Sequence, residues 1–208
     1  MKIIKPEVEI CKDILGQDVL GKIEACGRVC YKSESNIKEG SAEKFVANLI
    51  ERDHEAVLEH VSVTVKFIVD RGVSHEIVRH RLASYCQEST RYCNYSKNTF
   101  ENEITVIKPL FLEEGTDGFE MWKRSCEYAE STYFNLLEWG CTPQEARTVL
   151  PNSLKTEVVM TANLREWRTF FKLRTSPAAH PQMLEVTRPL LDRFKRLIPV
   201  VFDDLTYE

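Results

Sequence analysis

The sequence predicts an α+β fold: a single domain spanning residues 1–208, with a mainly antiparallel sheet flanked by helices. Two kinds of periodicity and their order carry that expectation. Residues 61–69 alternate with period two, several longer stretches repeat at helical spacing, and the elements follow one another without the regular β-α-β alternation of a doubly wound sheet. With 208 residues, 43% hydrophobic and 29% charged, the chain can bury one sizeable core. No internal repeat, low-complexity segment or Pro/Gly/Ser-rich linker divides it.

The elements follow in order. Ser41 opens a helical pattern with Phe45, Val46, Leu49 and Ile50 on one stripe, ending near Asp53-His54. In the strand at 61–69, Val61, Val63, Val65, Phe67 and Val69 share one face, opposite Ser62, Thr64 and Lys66. Val73 to about Ser84 reads as a helix, and Glu103 to Ile107 as a short strand. The longest helix is expected from Phe119 to Trp139, stopped by Gly140. Thr142-Pro143-Gln144-Glu145 is a capping box with proline at the first helical position, opening a short helix that presents Arg147. Thr156 to Ala162 reads as a strand. Asn163 then caps an amphipathic helix from Leu164 to Arg174, and Pro181 opens a last helix kinked at Pro189.

Charge narrows the function. A formal net charge of −4 gives no overall basic field for nucleic acid or an anionic membrane. The N-terminal stretch lacks the apolar run of a signal peptide, and no segment is apolar enough to span a membrane, so a soluble, cytoplasmic protein is expected. Seven cysteines, none in a Cys-x-x-Cys pair, argue against a disulfide framework or a metal site. His54 and His60 lack the spacing of a zinc-protease helix, because Leu58 stands where the second histidine belongs. Arginine is distributed more tellingly. Residues 71–91 and 147–174 hold eight of the 14 arginines but only two of the 14 lysines, Lys155 and Lys172. A planar, permanently charged fork suits a phosphate or carboxylate held in fixed geometry.

Two constellations stand out. The first is Arg79-His80-Arg81, then Gln87, Ser89 and Arg91. On a helix, Arg79 and Arg81 diverge and would serve different ligands or subunits; an extended chain after Tyr85 would put Gln87, Ser89 and Arg91 on one face. On residue types alone, an exposed basic helix tail is the plainer reading. The second is Arg147 with Asn163, Arg165 and Arg174, where Arg174 could simply complement a helix dipole and Asn163 simply cap a helix. Cys86 and Cys93 flank the first constellation without a placed base, which favours ordinary packing over a thiolate nucleophile.

Taken together, Arg79-His80-Arg81, seven intervening residues and Ser89 resemble the signature of the flavin-dependent thymidylate synthases. The likeness extends to His54 and Glu59-His60, Ser84-Tyr85, Arg91-Tyr92, Ala146-Arg147, Leu150-Pro151, Asn163, Arg165, Leu173-Arg174 and His180, over about residues 20–200. It implies the reductive methylation of dUMP to dTMP, with 5,10-methylenetetrahydrofolate as carbon donor, FAD reduced by NADPH as hydride carrier, and no cysteine nucleophile. It implies a dUMP site on Glu76, Ile77, Val78 and Arg79, on Gln87, Glu88, Ser89, Thr90 and Arg91, and on Arg147 and Arg174. Arg174 would be the catalytic activator, its charge favouring ionisation at N3 of the uracil. FAD is expected on Arg79, His80 and Arg81, on Gln87, on Asn163, Leu164 and Arg165, on Thr169 and on His180, with His54 near the flavin and folate entrance. The resemblance further implies a homotetramer with shared sites. Ala56, Gln87, Glu76 and Thr169 stand where relatives often carry a hydroxyl residue, Glu, Gln and Asn respectively. Two rivals remain: a flavin-dependent NADPH oxidase, and an Arg-rich nucleic-acid-binding module.

Overall fold

A computed structural model describes residues 1–11, 18–97 and 100–207. In chain order the strands are β1 (Lys2–Ile4), β2 (Glu7–Ile10), β3 (Ser62–Asp70), β4 (Ala83–Gln87), β5 (Thr105–Ile107) and β6 (Lys155–Asn163). The helices are α1 (Val19–Tyr31), α2 (Ser41–Glu51), α3 (Arg71–Ile77), α4 (Asp117–Glu138), α5 (Pro143–Ala146), α6 (Leu164–Arg174) and α7 (Pro181–Leu197). Short 3-10 turns include Glu55–His60 and Arg147–Val149. The α+β expectation holds. A four-stranded sheet has the order β2-β3-β6-β4, and a parallel pair joins β1 to β5 with Ile3 opposite Val106. β3 and β6 run antiparallel: Leu164 N–H donates to the Val61 carbonyl at 2.9 Å, and Thr64 Oγ1 meets Thr161 Oγ1 at 2.9 Å.

The chain condenses into two compact units. The first comprises residues 1–7, 67–79 and 86–159; its core gathers Tyr95, Ile104, Val106, Cys126, Tyr133, Ala146 and Leu154. Thr116 caps α4 by accepting Phe119 N–H, and the left-handed Gly140 (φ +92°) follows its end, where a side chain would be strained. In the capping box before α5, the Glu145 carboxylate accepts from Thr142 N–H at 2.8 Å and from its hydroxyl at 2.7 Å.

The second unit comprises residues 8–66, 80–85 and 160–208. Its core is aromatic: Trp167 stacks near Phe171, and Phe170, Phe194 and Phe202 close around them at centroid distances of 5.0 to 5.8 Å. Trp167 Nε1 donates to the Val63 carbonyl at 3.1 Å, so the indole is buried without an orphaned donor. Gly27 lets α1 and α2 approach closely, since a Cβ there would lie 2.7 Å from the Phe45 ring. α6 buries Leu164, Trp167, Arg168, Phe170 and Phe171 and turns Arg165, Thr169 and Leu173 outward.

Two expectations need correction. The helix expected to reach Ser84 ends at Ile77, and 83–87 is a strand instead. A continued helix would give the His80 carbonyl to Ser84 N–H; here Tyr85 donates its hydroxyl to that carbonyl at 2.6 Å, and burial alternates with period two from Ala83 to Gln87. Arg79 therefore lies in the turn that follows α3 and Arg81 in the non-helical stretch before β4, and the diverging-helix argument does not apply. The extended chain also stops before Ser89: Tyr92 and Cys93 N–H both donate to the Ser89 carbonyl, folding 89–93 into a turn. The last helix opens at Pro181 as expected, with Pro189 inside it, and α7 continues to Leu197.

Candidate functional site

In the first unit, Asp70 Oδ1 accepts Val73 N–H at 2.8 Å and starts α3, so Arg71 emerges directly from the end of β3. Arg71 N–H donates to the carbonyls of Asn152 and Leu154, which fixes the 147–154 segment beside it. Between them lies a hollow of about 260 Å³ lined by Arg71, His75, Thr90, Arg147 and Asn152 among others. Arg147 is exposed and Nη1 donates to the buried Thr90 hydroxyl at 3.1 Å, which aims the fork. Two guanidiniums and a histidine around one small hollow suit a phosphate.

Neighbouring side chains are engaged inside the unit. Gln87 Nε2 donates to Ser74 Oγ at 3.0 Å and Thr156 Oγ1 at 3.3 Å, while Arg71 Nη1 reaches Thr156 Oγ1 at 3.4 Å. Glu88 pairs with Lys155 at 2.9 Å and accepts from Tyr95 at 3.2 Å. Ser89 Oγ accepts Arg91 N–H at 3.3 Å, and the exposed Arg91 guanidinium lies 5.5 Å from the Tyr92 ring centroid. Of the expected nucleotide residues, Ile77 is fully buried and presents no side chain, Glu76 and Val78 are half-buried, and Arg79 is exposed.

The second unit holds the other arginine cluster. Arg174 closes α6 and donates its Nε–H to Nε2 of the buried His80 at 3.1 Å; Nδ1 of the same ring lies 3.3 Å from Glu166 Oε1. His80 also meets the Phe170 ring edge-on at 4.9 Å. Burial, reinforced by the adjacent Arg174 charge, lowers the His80 pKa to about 4, so the ring is neutral at physiological pH. Burial raises that of Glu166. Asn163 Oδ1 accepts Glu166 N–H at 2.9 Å and caps α6, as expected. The exposed Arg165 donates to Glu59 at 2.6 Å, and Thr169 Oγ1 donates to the Arg165 carbonyl at 3.2 Å. Arg81 is exposed, whereas Leu164 is fully buried with its N–H taken by Val61, so its side chain offers nothing to a ligand. His180 caps α7 by accepting Gln182 N–H at 3.2 Å, and His54 Nδ1 meets the Tyr31 hydroxyl at 3.1 Å.

The cysteine alternative gains no support. Burial and the Glu88 carboxylate raise the Cys93 pKa, which disfavours a thiolate. Among the described residues no group of three or more His, Cys, Asp or Glu could hold a metal ion, and no helix is long and apolar enough to cross a membrane. Sequence reasoning left Arg71, His75 and Asn152 out of the site. The arginine-rich window pointed to Arg71, but the loop pairing that brings it beside Arg147 is a long-range contact. Glu166, in the first turn of the helix that Asn163 caps, carries no sequence signal beyond that position.

The half-buried Arg71 and the exposed Arg147 around one hollow, and a third arginine, Arg174, held by a neutral histidine, are arrangements on an α+β fold that suit anionic ligands. A family model described as thymidylate synthase complementing protein matches residues 17–200. A flavin-dependent thymidylate synthase of Mycolicibacterium gilvum is 31% identical over 217 aligned positions, covering 96% of this chain and 84% of that protein. One from Pyrococcus furiosus is 31% identical over 171 positions, covering 82% and 69%. The chain belongs to the flavin-dependent thymidylate synthase family. In fold it is similar to a UMP/dUMP methylase, PolB, from Streptomyces cacaoi, solved with 5-Br dUMP bound (TM-score 0.80, 23% identity, covering 98% and 96% of the two chains).

Proposed function

We propose that the protein is a thymidylate synthase that converts dUMP to dTMP, taking its carbon from 5,10-methylenetetrahydrofolate and its hydride from FAD reduced by NADPH. The observation that carries this reading is Arg174: the residue implied to be the activator is gripped through Nε by a buried neutral imidazole, which orients the charge without cancelling it. A carboxylate in that place would neutralise it. The phosphate of dUMP is assigned to the hollow of Arg71 and Arg147. Arg91, exposed beside Tyr92, supplies a further cation for the nucleotide.

The residues fit FAD. A dinucleotide with a pyrophosphate needs cations and hydrogen-bonding groups at the surface, and Arg79, Arg81, Arg165, Thr169 and His180 are all exposed. When bound, FAD supplies the hydride that reduces the transferred carbon. Arg165 is kept in place by Glu59, and the Asn163 cap sets the first turn of α6 from which Arg165 and Thr169 project. His80 contributes by holding Arg174, its two ring nitrogens being taken by Arg174 and Glu166. His54, exposed at the start of the 55–60 turn, is assigned to the flavin and folate entrance.

We further infer that residues 1–208 act as one domain, because β3, β4 and β6 each contribute to both compact units. The working form is assigned as a cytoplasmic homotetramer with shared sites. Exposed Leu82, Leu173 and Tyr92, at 76%, 58% and 78% accessibility, lie next in sequence to Arg81, Arg174 and Arg91 and suit a subunit interface. The test is the visible spectrum of the purified protein titrated with FAD and then dUMP. Saturable flavin binding with a further shift on dUMP is expected; no flavin binding at any concentration would overturn the reading.

A further inference from the structure

Glu166 has no part in the function described so far beyond its place in the first turn of α6. It is nonetheless a carboxylate only 8% exposed, set against the one buried histidine that holds Arg174. The chemistry of the ring decides what it does there. Arginine Nε is always a donor, so His80 Nε2 must present its lone pair to accept from it at 3.1 Å. A neutral imidazole with a bare Nε2 carries its proton on Nδ1. That Nδ1–H lies 3.3 Å from Glu166 Oε1, an acceptor in the right place. The opposite tautomer would set N–H against N–H at Arg174 and leave Glu166 facing a lone pair, so both contacts select the same form.

The scaffold keeps this arrangement rigid. Asn163 holds the Glu166 backbone, Tyr85 holds the His80 carbonyl, and Phe170 packs on the ring. The Glu166 charge is felt close by: with burial, it pushes the Tyr85 hydroxyl up to about 12.

We propose that Glu166 is a positioning residue for the methylation step: by accepting from Nδ1 of His80 it fixes the tautomer whose Nε2 orients the Arg174 guanidinium. Its kinetic consequence rests on the thymidylate synthase reading, whereas the tautomer does not. Glu166→Gln keeps a carbonyl acceptor for Nδ1–H; Glu166→Leu removes it at similar volume and leaves the Arg174 contact alone to hold the tautomer.

The experiment uses full-length protein labelled with 15N-histidine, whose ring nitrogens report the tautomer directly. With five histidines in the chain, His80→Gln assigns the signal. The wild type and Glu166→Gln are expected to show neutral His80 with the proton on Nδ1 at pH 7, and Glu166→Leu, which keeps only the Arg174 contact, a mixture of the two tautomers. In parallel, kcat for dTMP formation should fall about 10-fold in Glu166→Leu, stay within about 2-fold in Glu166→Gln, and leave FAD affinity within about 2-fold in both. An Nε2–H ring in the wild type overturns the proposal without needing any variant to fold. So does a Glu166→Leu protein that keeps both the Nδ1–H form and wild-type kcat. Absence of dTMP formation in the wild type overturns the functional reading instead, and the tautomer then decides the proposal alone.

Discussion

Arg174 donates Nε–H to Nε2 of His80 at 3.1 Å, an ion-to-neutral hydrogen bond that fixes a guanidinium without discharging it. Arg174→Ala should therefore lower kcat by about 100-fold, the range seen when a preorganised electrostatic donor is lost, and change FAD affinity by no more than about 2-fold. Steady-state kinetics with a flavin titration measures both; equal losses in the two would remove Arg174 as the activator.

Arg71 and Arg147 line one hollow, and Arg147 is aimed by Thr90. Arg147→Ala should raise the dUMP KM by roughly 10-fold or more, the worth of one charge-assisted phosphate contact, and Arg71→Ala should act in the same direction. Thr90→Val, which frees the fork but keeps its charge, should give a smaller rise. Deoxyuridine, lacking the phosphate, serves as the control: its weaker binding should not respond to Arg147→Ala.

His80 also sets a pH signature. Its pKa falls from 6.5 unfolded to about 4 folded, so between those values the unfolded chain binds more protons and stability rises with pH. The contribution is complete above about pH 6.5 and is lost as pH falls to about 4, on the order of 3 kcal/mol at full size. Glu166, raised by burial, works in the opposite sense at low pH by taking up a proton in the folded state first. Denaturant titrations from pH 4.5 to 7.5 should show a shallower slope in His80→Gln than in the wild type; parallel curves would contradict the neutral buried ring.

Arg168, 2% exposed, ties three parts of the second unit together. Nε donates to Glu55 at 2.8 Å, Nη1 and Nη2 bracket Asp204 at 2.6 and 2.7 Å, and Nη1 also donates to the Val201 carbonyl. Arg168→Leu would leave both carboxylates without this partner and should cost about 3 kcal/mol, lowering Tm by roughly 6 to 12 °C. A thermal melt within about 2 °C of wild type would show that the tail and the 55–60 turn are held by other contacts.

Much of this architecture was legible because local rules and tertiary packing agree. The alternation at 61–69, the Thr142 capping box, the Asn163 cap and the stripe on α6 all appear where the pattern places them. The elements that were not read, β1, β2, α1 and β4, are short, edge-placed or weakly patterned; β4 in particular looks helical until Tyr85 reaches back to the His80 carbonyl. The site follows the same division. Arginine enrichment drew attention to residues 71–91 and 147–174, but Arg71 joins Arg147 only through backbone pairing with Asn152 and Leu154, and Glu166 joins Arg174 only through a histidine 86 positions earlier. Spacing along the chain carries no record of either encounter.

The most direct test of the account is dTMP formation from dUMP in a reaction where FAD, NADPH and 5,10-methylenetetrahydrofolate are omitted one at a time. Product in the complete mixture, abolished by each omission, is the expected result. Oxidation of NADPH by the flavin-loaded protein that neither responds to dUMP and folate nor yields dTMP would contradict it and leave an oxidase in its place.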